Sequence, residues 1–531
     1  MNIKKTIINI LITLLVGFGI YYFTLPAFNL SDPSFWSFLV TLLIIYFVLD
    51  SFSLKNVTIF NKNMKLTDFH FSKILYLIIL IPVAILLINL IFSPFFNANS
   101  YANRIIVDET KDFISDVPEV NFDAIPLLDK ESSQKLGDRT MGVMTDLVSQ
   151  FYVSSLYTQI NYNNEILRVT PLEYASIIKY FTNRSEGIKG YITVNSVDGE
   201  SKLVRLEKGM RYMPSSLFFE NLYRKLRFTY PTKSFGEANF EIDNDGNPYW
   251  IVQTLSYTGI GLRKEVSGVV VLDPITGNSK YYDTKSVPTW IDHVYDASLI
   301  IEQFDNWGEY KNGYFNSIFG QKGVVNTTEG YSYLAINDDV YLYTGVTSVS
   351  SDESNLGFIL TNLRTKETHY YAIAGAEEFS AMASAEGLVQ EKGYKATFPL
   401  LINLNKKPTY LMSLKDNAGL VKMYALVDVV DYQKVVTSDA TLGISYAADK
   451  YLTETENTVI SEISKTKLQV QTITSVVIDG TTNYYFTDLD GNRYSANIKI
   501  NKNMLPFVKI NDILDVEYYT DNELRIITKI S

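Results

Sequence analysis

Two patterns of apolar residues divide the chain. Residues 1–97 are dominated by three long apolar runs, at about 6–28, 35–52 and 74–96. From residue 98 onward, apolar and polar residues alternate in short stretches between turn-forming residues, which is the pattern of β-strands and hairpins. A helix of about 20 apolar residues spans the hydrocarbon core of a bilayer. The pattern therefore predicts a membrane-anchored α+β protein with three N-terminal transmembrane helices and a β-rich remainder.

The basic residues predict the orientation of these helices. Lys4 and Lys5 precede the first run, the loop before the second run has no Lys or Arg, and the loop at residues 51–73 has four. Cytoplasmic loops collect Lys and Arg. We therefore expect a multi-pass protein of the cell membrane, with a cytoplasmic N-terminus and with the large region after about Asn97 outside the cell.

A cleaved signal peptide is the alternative interpretation of the first run. That run is longer than the apolar stretch of a signal peptide and lacks a small-x-small cleavage site before the second run. The three runs contain no Lys, Arg, Glu or His, the residues that mark ion or proton pathways in membranes. The helices are therefore expected to anchor the protein or to dock another membrane protein, with Gly17 and Gly19 as points of close helix approach.

In the β-rich region the order hairpin, helix, hairpin recurs three times. The three units are predicted at residues 190–257, 268–347 and 357–430, with helices at about 215–226, 289–304 and 376–388. The first hairpins turn at Gly199, Gly277 and Lys366, and the Asp-Gly and Thr-Gly pairs there supply the positive φ that tight hairpins need. Recurrence at long spacing predicts an array of similar modules.

Two further regions flank this array. Residues 98–189 are predicted to form a membrane-proximal α/β domain, with a strand at 103–107 and helices at 138–151 and 170–180. In the last of these, Thr170 is the expected cap and Pro171 the first helical residue.

A helix at about 439–451 is expected to complete the segment 190–455. Residues 460–531 then contain about five alternating stretches with a turn at residues 488–492, which predicts a small all-β domain. The run at residues 505–512, with Asn511 at a left-handed turn position, resembles part of an OB-like barrel.

Charge and composition exclude several classes of function. The chain has 58 Asp and Glu against 47 Lys and Arg, and because the apolar N-terminal segment is basic, the β-rich region is strongly acidic and repels nucleic acid. It contains no cysteine, which excludes disulfides, thiolate metal sites and a cysteine nucleophile. A large exterior region without disulfides is typical of a Gram-positive bacterium. The abundant Tyr and Phe are expected to pack in sheets rather than to stack on sugars.

No motif predicts catalytic, cofactor-binding or metal-binding residues. The three histidines (His70, His293 and His369) are scattered, and His293 is expected to be a surface or hydrogen-bonded buried residue. The segment 243–247 is expected to be a hairpin turn rather than a calcium loop, because its glycine falls one place early. Ser132 and Lys135 have the spacing of a serine acyltransferase but lack its other elements.

The residues Gly268-Val-Val-Val-Leu-Asp-Pro-Ile-Thr-Gly277, followed by Tyr281 and Tyr282, resemble the closing hairpin of PepSY-type domains, in which a strand ends in Asp-x-x-Thr-Gly before its return strand. The resemblance implies small α/β modules outside the membrane that inhibit, scaffold or sense, without catalytic residues to carry over. The whole chain also resembles large membrane-anchored proteins of Gram-positive bacteria.

These observations favour a non-catalytic, membrane-anchored extracytoplasmic binding or scaffold protein of the bacterial cell envelope. Its expected partners are the lipid bilayer and another envelope protein or a cell-wall component, with a homo-oligomer as a further possibility and no nucleic acid or cofactor. Two alternatives stay open at this point. One is a membrane-tethered cell-wall hydrolase that uses paired carboxylates, and the other is an accessory subunit of a transporter or secretion complex.

Overall fold

The fold was analysed in a computed structural model, which describes residues 3–53, 73–163, 165–336, 338–349, 354–456, 464–478, 481–521 and 524–530. The chain divides into two compact units. The first unit comprises Met1–Lys111, Ser133–Asp352 and Leu356–Ala372, and the second comprises Asp112–Ser132, Glu353–Asn355 and Ile373–Ser531.

The helices in these ranges are α1 (Ile3–Thr24), α2 (Pro33–Ser53), α3 (Lys73–Ile91), α4 (Pro94–Ala102), α5 (Phe113–Asp116), α6 (Lys130–Gly142), α7 (Ile177–Asn183), α8 (Leu222–Thr229), α9 (Ala297–Tyr310), α10 (Glu378–Leu388) and α11 (Ile444–Glu456).

The first strands are β1 (Val107–Asp108), β2 (Phe151–Val153), β3 (Thr158–Tyr162), β4 (Glu165–Tyr174), β5 (Ile188–Asn195), β6 (Ser201–Met210), β7 (Ser234–Ile242), β8 (Pro248–Thr258), β9 (Arg263–Leu272), β10 (Ser279–Asp283), β11 (Val325–Thr327), β12 (Ser332–Ile336), β13 (Asp339–Ser348) and β14 (Ser354–Asn355). The later strands are β15 (Gly357–Asn362), β16 (Thr368–Tyr371), β17 (Gly375–Ala376), β18 (Lys395–Ala396), β19 (Leu400–Leu404), β20 (Lys407–Lys415), β21 (Val421–Asp428), β22 (Val435–Asp439), β23 (Ser464–Gln469), β24 (Thr472–Ile478), β25 (Thr481–Thr487), β26 (Arg493–Asn497), β27 (Ile513–Asp521) and β28 (Leu524–Ile530).

The three predicted apolar helices are present, and α1, α2 and α3 are each long and apolar enough to cross a membrane. Helix α1 ends at Thr24 because Leu25 takes a left-handed conformation (φ 51°) ahead of Pro26, and a residue before proline is disfavoured in a helix. Helix α3 ends at Ile91, earlier than predicted. Pro94 then starts α4 at a first-turn position, where the N–H that proline lacks is not needed.

The apolar helices pack in the order α1, α2, α3. A Cβ atom on Gly17 would lie 2.6 Å from Cδ2 of Leu42 in α2, so glycine permits the approach of these two helices. A Cβ atom on Gly19 would have no neighbour within 4 Å. The predicted close approach is confirmed at Gly17 and is wrong at Gly19.

Four sheets in the described part of the chain share one design, an antiparallel meander of four strand positions. Their orders are β2/β3-β4-β5-β6 (sheet I), β7-β8-β9-β10 (sheet II), β11/β12-β13-β15-β16 (sheet III) and β18/β19-β20-β21-β22 (sheet IV). In sheet III the short strand β1 adds to the meander, parallel to β16. In sheets I, III and IV, two short strands share the first position. Sheets I to III belong to the first unit and sheet IV to the second.

A helix precedes each meander along the chain: α6, α8, α9 and α10 come before sheets I, II, III and IV. The predicted units grouped the two hairpins on either side of one helix. In the structure the hairpin before a helix and the hairpin after it lie in different sheets; β5-β6 belong to sheet I and β7-β8 to sheet II. The repeating element is therefore a helix followed by a meander, and the domain boundaries drawn from the sequence stay a prediction.

A turn held by one side chain joins the last two strands of each meander. In sheet II, Asp273 accepts hydrogen bonds from the backbone N–H groups of Ile275 and Thr276 at 2.8 and 3.3 Å, while Gly277 takes φ 75°. The equivalent acceptors are Asn195 in sheet I, Asn362 in sheet III and Asp428 in sheet IV. Asn and Asp suit this position because their short side chains bond the backbone two residues on.

The core of the first unit lies where α9 meets sheets II and III. Leu299 and Ile300 of α9 are fully buried in one cluster with Val269 of sheet II and Leu342 of sheet III. Burying such a side chain contributes roughly 1.5–3 kcal/mol. This cluster explains why apolar residues recur on one face of α9 and at alternate positions of the strands.

The helix predicted from Thr170 is wrong, because β4 runs through Thr170 and Pro171 to Tyr174. Nine of its ten residues are buried between neighbouring strands, which outweighs the local cap signal. Pro171 is tolerated because it falls between the two short partners of β4. Strand β3 pairs with Val169 and earlier residues, and β2 pairs from Leu172 onward.

The helix predicted at residues 289–304 begins late, at Ala297. The N–H groups of Asp292 and His293 donate to the carboxylate of Glu241 at 3.0 and 3.1 Å. Those of Val294 and Tyr295 donate to the carbonyl of Leu363, in the turn between β15 and β16. These N–H groups therefore have hydrogen-bond partners without forming a helix, and the helix begins after them. The side chain of Asp296 then caps α9.

Other predicted elements differ in extent. The predicted strand at 103–107 is reduced to β1, and the helices predicted at 138–151, 215–226 and 439–451 are α6, α8 and α11 with the bounds given above. Asp129 accepts the N–H of Ser132 at 2.9 Å, which starts α6 earlier. The side chain of Asn221 caps α8.

The C-terminal sheet of the second unit has the order β23-β27-β28-β26-β25-β24, with β26 and β28 parallel. It contains one strand more than predicted, since β23 precedes the first predicted strand. Asn511 does take a left-handed conformation (φ 73°). Among the described residues no strand pair joins the edge strands β23 and β24, so a closed barrel is not shown and the OB-like assignment stays a prediction.

We predict that Gly277→Ala destabilises the first unit by about 2–3 kcal/mol. Alanine at positive φ costs about 1 kcal/mol, and its Cβ would also lie 2.4 Å from the Tyr212 ring, which adds about 1–2 kcal/mol of overpacking. Gly246→Ala is the matched control, because Gly246 has φ 80° but a Cβ there meets only ordinary contacts. Urea unfolding in detergent measures the free energy of unfolding of both variants. Equal destabilisation by the two substitutions would contradict the close contact between position 277 and the Tyr212 ring.

Candidate functional site

The joint between the apolar helices and the β-rich region begins at the end of α1. The last carbonyls of a helix have no partner within it and carry partial negative charge. Nε of Arg224 donates to the carbonyl of Tyr22 at 3.1 Å, and Nε of Arg227 donates to the carbonyl of Leu25 at 2.9 Å. Both arginines lie in α8, and Arg227 is only 6% exposed. Helix α8 therefore caps α1.

Aromatic rings surround this cap. Tyr21 stacks on Phe28 with ring centroids 5.0 Å apart and meets the edge of Phe228 in α8 at 5.5 Å. The guanidinium of Arg224 lies 4.1 Å from the centroid of the Tyr22 ring. The N–H of Phe28 donates to the carbonyl of Pro231 at 2.8 Å. Ring stacking, a cation–π contact and main-chain bonding thus fix the end of α1 in one position.

The tip of the β8–β9 hairpin forms the second part of the joint. Asn89 of α3 accepts the N–H of Ile260 at 2.8 Å and donates to the carbonyl of the same residue at 2.9 Å. The N–H of Gly261 donates to the carbonyl of Ser31, in the loop between α1 and α2, at 3.0 Å. A Cβ on Gly261 would lie 2.2 Å from Cγ of Pro33, so the hairpin approaches α2 as closely as only glycine allows.

Arg104, two residues after α4, forms the third part. Its guanidinium donates to Glu265 of β9 at 2.9 Å, to Glu302 of α9 at 2.6 Å and to the carbonyl of Lys264 at 2.7 Å. Arg104 is buried, and removing one partner of a buried pair leaves an uncompensated charge. The chain is therefore fixed to the first unit where it leaves the apolar segment.

The basic residues of α8 bond a helix other than their own. Basic side chains commonly bond the negative C-terminal end of the helix that carries them. Arg224 and Arg227 instead bond the end of α1, 202 residues away along the chain. A motif search does not find such a pair; the signals are an arginine pair on one helix face and a polar residue, Asn89, near the end of an apolar run.

A cleft of about 690 Å³ opens beside β6, the end strand of sheet I. One wall is the face of sheet I along β4, β5 and β6, and the other consists of Ile242, the turn Asp245-Gly246-Asn247 and Ile275 of sheet II. The volume falls in the range of ligand sites. Among the described residues β6 pairs only with β5, so its other edge presents main-chain N–H and C=O groups to the cleft side.

The walls of the cleft carry both signs of charge. Its acidic residues are Glu165, Glu200, Glu207 and Asp245, and its basic residues are Lys202, Arg205 and Lys208. Lys202 pairs with Glu200 at 2.6 Å. Tyr191 is 2% exposed and its hydroxyl donates to the carbonyl of Gly246, so its ring is not a stacking platform. This surface suits a polar, extended ligand.

A buried polar cluster lies between sheets I and II. Glu241 and Asp292 are almost fully buried; Glu241 accepts the two main-chain bonds described above, and Asp292 accepts the N–H of Asn161 at 2.8 Å. Burial raises the pKa of Glu241, and burial together with the charge of Glu241 raises the pKa of Asp292. Neither carboxylate reaches solvent, and Glu241 holds the loop that leads into α9.

His293 belongs to the same cluster. It lies in a loop rather than the predicted helix, is 5% exposed, and its Nε2 is 2.7 Å from the carbonyl of Gln159. Since a carbonyl only accepts, Nε2 carries the proton of the neutral ring. Burial lowers the pKa of His293 from 6.5 to about 4. It is a hydrogen-bonded buried histidine, one of the two expected outcomes.

Of the remaining predicted residues, only the turn 243–247 lines the cleft; His369 and Ser132 lie outside the joint and the cleft. His369 of β16 lies 3.0 Å from Glu367, and His70 lies outside the described residues. Ser132 is buried, with Oγ 3.4 Å from the carbonyl of Gly419. Asp243 bonds the N–H groups of Asp245 and Asn247, so the segment 243–247 is the predicted hairpin turn.

Within the ranges that the structure describes, no group of three or more His, Asp or Glu side chains could hold a metal ion. No protein-family model matches this sequence, and comparison with curated proteins finds no relative. The function must therefore be argued from the joint and the cleft themselves.

We predict that Arg227→Ala lowers the stability of the first unit by about 2 kcal/mol or more, because it removes charged hydrogen bonds from a buried position. Thermal unfolding in detergent measures the loss. Arg205→Ala is the control, since Arg205 forms an exposed pair with Asp146 and its loss should cost under about 1 kcal/mol. Equal stability losses for the two variants would show that the hydrogen bonds of Arg227 to the end of α1 do not stabilise the first unit.

We also predict a specific pH dependence for His293. The unfolded chain binds a proton there below about pH 6.5 and the folded chain only near pH 4, so this residue makes stability fall as pH drops across that window. His293→Gln keeps a donor but cannot titrate. The free energy of unfolding of the natural protein minus that of the variant should fall by about 3 kcal/mol between pH 7 and pH 4. A constant difference would contradict burial of a neutral ring.

Proposed function

We propose that this protein is a non-catalytic, membrane-anchored scaffold or binding protein of a bacterial cell envelope, with a cytoplasmic N-terminus and its β-rich region outside the cell. One observation carries the proposal: the ends of α1, α2 and α3 interlock with α8 and with the β8–β9 hairpin. A flexible tether would be enough to retain an enzyme at a membrane. A fixed joint serves a protein whose surface must be held at a set height and orientation.

The distance from the joint to the cleft supports this use. Strand β8 runs from Thr258, beside the joint, to Pro248, beside the turn that lines the cleft. Eleven residues in a strand extend about 33–36 Å. The cleft would therefore lie up to about 36 Å from the joint, within reach of envelope proteins or wall polymer.

The edge strand favours an extended ligand. An extended peptide can add to a free strand edge through main-chain hydrogen bonds, with alternate side chains contacting the walls. The charges of both signs along β6 suit a polar segment of an envelope protein or a peptide-bearing wall component.

The recurrence of a helix followed by an antiparallel meander, each closed by an Asp- or Asn-held turn, supports the proposal that these modules are PepSY-like. The strand order in the C-terminal sheet, with β23 and β24 successive in the chain at its two edges, supports an OB-like barrel in which they act as one bent strand. PepSY-like modules would inhibit, scaffold or sense without catalytic residues.

The hydrolase alternative rests on the acids of the same cleft, above all Glu165, Glu207 and Asp245. It requires a pair of carboxylates on opposite sides of a glycosidic bond. Purified protein should release no soluble fragments from cell walls; release that is abolished by Glu207→Gln or Asp245→Asn would favour the hydrolase and contradict the scaffold.

The orientation can be tested with single cysteines, because the natural chain has none. Asp245→Cys should react with a membrane-impermeant maleimide on intact protoplasts, whereas Lys62→Cys, in the loop between the second and third apolar runs, should react only after lysis. Labelling of Lys62→Cys on intact protoplasts, with Asp245→Cys protected, would reverse the orientation and remove the envelope role.

The binding role can be tested by photocrosslinking in intact cells. A photoreactive residue at Lys202 or Glu207, both exposed on β6, should crosslink to a specific envelope protein or wall component. Tyr152 on β2, an exposed residue of the strand at the other side of sheet I, is the matched control. Crosslinks that are equal at all three positions, or absent from β6, would contradict a binding cleft. If a photoreactive residue placed in α1–α3 crosslinks to a larger membrane protein instead, the accessory-subunit alternative is favoured.

A further inference from the structure

Exposed apolar side chains cluster beside the joint in two places. We call the first cluster patch A. It consists of Ile177, Ile178 and Phe181 of α7 together with Phe218 and Phe219. Ile178 is 72% exposed, although the same helix buries Tyr180 against its own unit. Large apolar side chains exposed side by side indicate a surface that contacts lipid or protein.

The second cluster, patch B, lies near the end of α3. It consists of Phe95 and Phe96 of α4 with Phe315, Ile318 and Phe319 around the short turn Asn316–Gly320. Phe319 is 79% exposed. Phe315, Ile318 and Phe319 are exposed within one five-residue stretch and lie outside the core cluster of the first unit.

Ring contacts connect both patches to the apolar helices. In patch A, Phe181 lies 6.1 Å from Phe218, and the neighbouring Phe219 lies 5.8 Å from Tyr22 in the last turn of α1. These contacts place patch A at the level where α1 leaves its apolar span.

In patch B, Phe95 follows the end of α3 by four residues and lies 6.0 Å from Phe315, which stacks with Phe319. Patch B therefore lies at the level where α3 ends. The two patches adjoin different helices of the same three-helix group, so both face the same side of the bilayer.

The charge around the patches differs from that of the chain. The chain has a net charge of −11, yet residues 312–322 of patch B contain Lys322 and no acid. At patch A, residues 175–185 contain Lys179 and Arg184 and no acid, and Glu220, next to Phe219, is buried and pairs with Arg211 and Arg184. Basic residues favour anionic lipid headgroups and acidic ones are repelled. Aromatic side chains favour the boundary between headgroups and acyl chains.

We propose that patches A and B insert into the leaflet of the bilayer on the side of the β-rich region, so that the first unit rests on the membrane at two points besides its three helices. The lipid leaflet is the occupant that the geometry favours, because both patches continue directly from helix ends that themselves meet lipid. The proposal requires that α1–α3 cross the bilayer but is independent of the scaffold role and of the orientation.

The test uses full-length protein in nanodiscs that contain anionic lipid, with one cysteine per variant carrying an environment-sensitive fluorophore. Ile178→Cys reports on patch A and Phe319→Cys on patch B. Asp245→Cys is the control, because it lies at the other end of β8 from the joint. Lipids with a spin label on the upper acyl chain quench fluorophores in the leaflet, and iodide quenches those in water.

Labels in patches A and B should be quenched several-fold more by the spin-labelled lipid than the label at Asp245, and less by iodide. Lipid quenching at either patch no greater than at Asp245 would overturn the proposal. So would shielding of either patch from both quenchers, which would mean that protein, such as a second copy, covers it. Since the three positions are exposed, the substitutions leave the core of the first unit unchanged.

Discussion

The structure depends on hydrogen-bond partners for the polar groups at the ends of the three apolar helices. Where a helix leaves the hydrocarbon, its terminal carbonyls and the loops beside it need partners. Water could supply them, but here the β-rich region does. Arg224 and Arg227 bond the end of α1, and Asn89 exchanges two hydrogen bonds with Ile260 at the hairpin tip. Because these bonds come from α8 and from the β8–β9 hairpin, the apolar helices and sheets I to III form one compact unit. They are not two separate parts joined by a flexible linker.

This constraint relates the other features to one another. Strand β8 has one end in the joint and the other beside the cleft. The position of the cleft relative to the apolar helices is therefore fixed by the joint. The buried cluster of Glu241, Asp292 and His293 holds the loop that leads into α9, and α9 in turn supports sheets II and III.

The sequence pattern predicted those elements of the fold that depend on interactions between residues close together in the chain. The apolar spans and the hairpins turning at Asp273 or Asn195 were predictable, because length, alternation and turn chemistry act over a few residues. The helices expected at Thr170 and Thr289 were wrong or late, because burial in β4 and the carboxylate of Glu241 compete for the same backbone. The joint was not predictable, since Arg227 and Leu25 are distant in sequence and belong to no motif.

Rigidity of the joint is best measured as a distance. Spin labels at Leu30→Cys, in the loop between α1 and α2, and at Asp245→Cys, beside the cleft, report on the two ends of the first unit in a chain that has no other cysteine. Electron paramagnetic resonance of the full-length protein in nanodiscs should give a single narrow distance distribution. A broad distribution, as a flexible tether would give, would contradict a fixed joint between the apolar helices and the β-rich region.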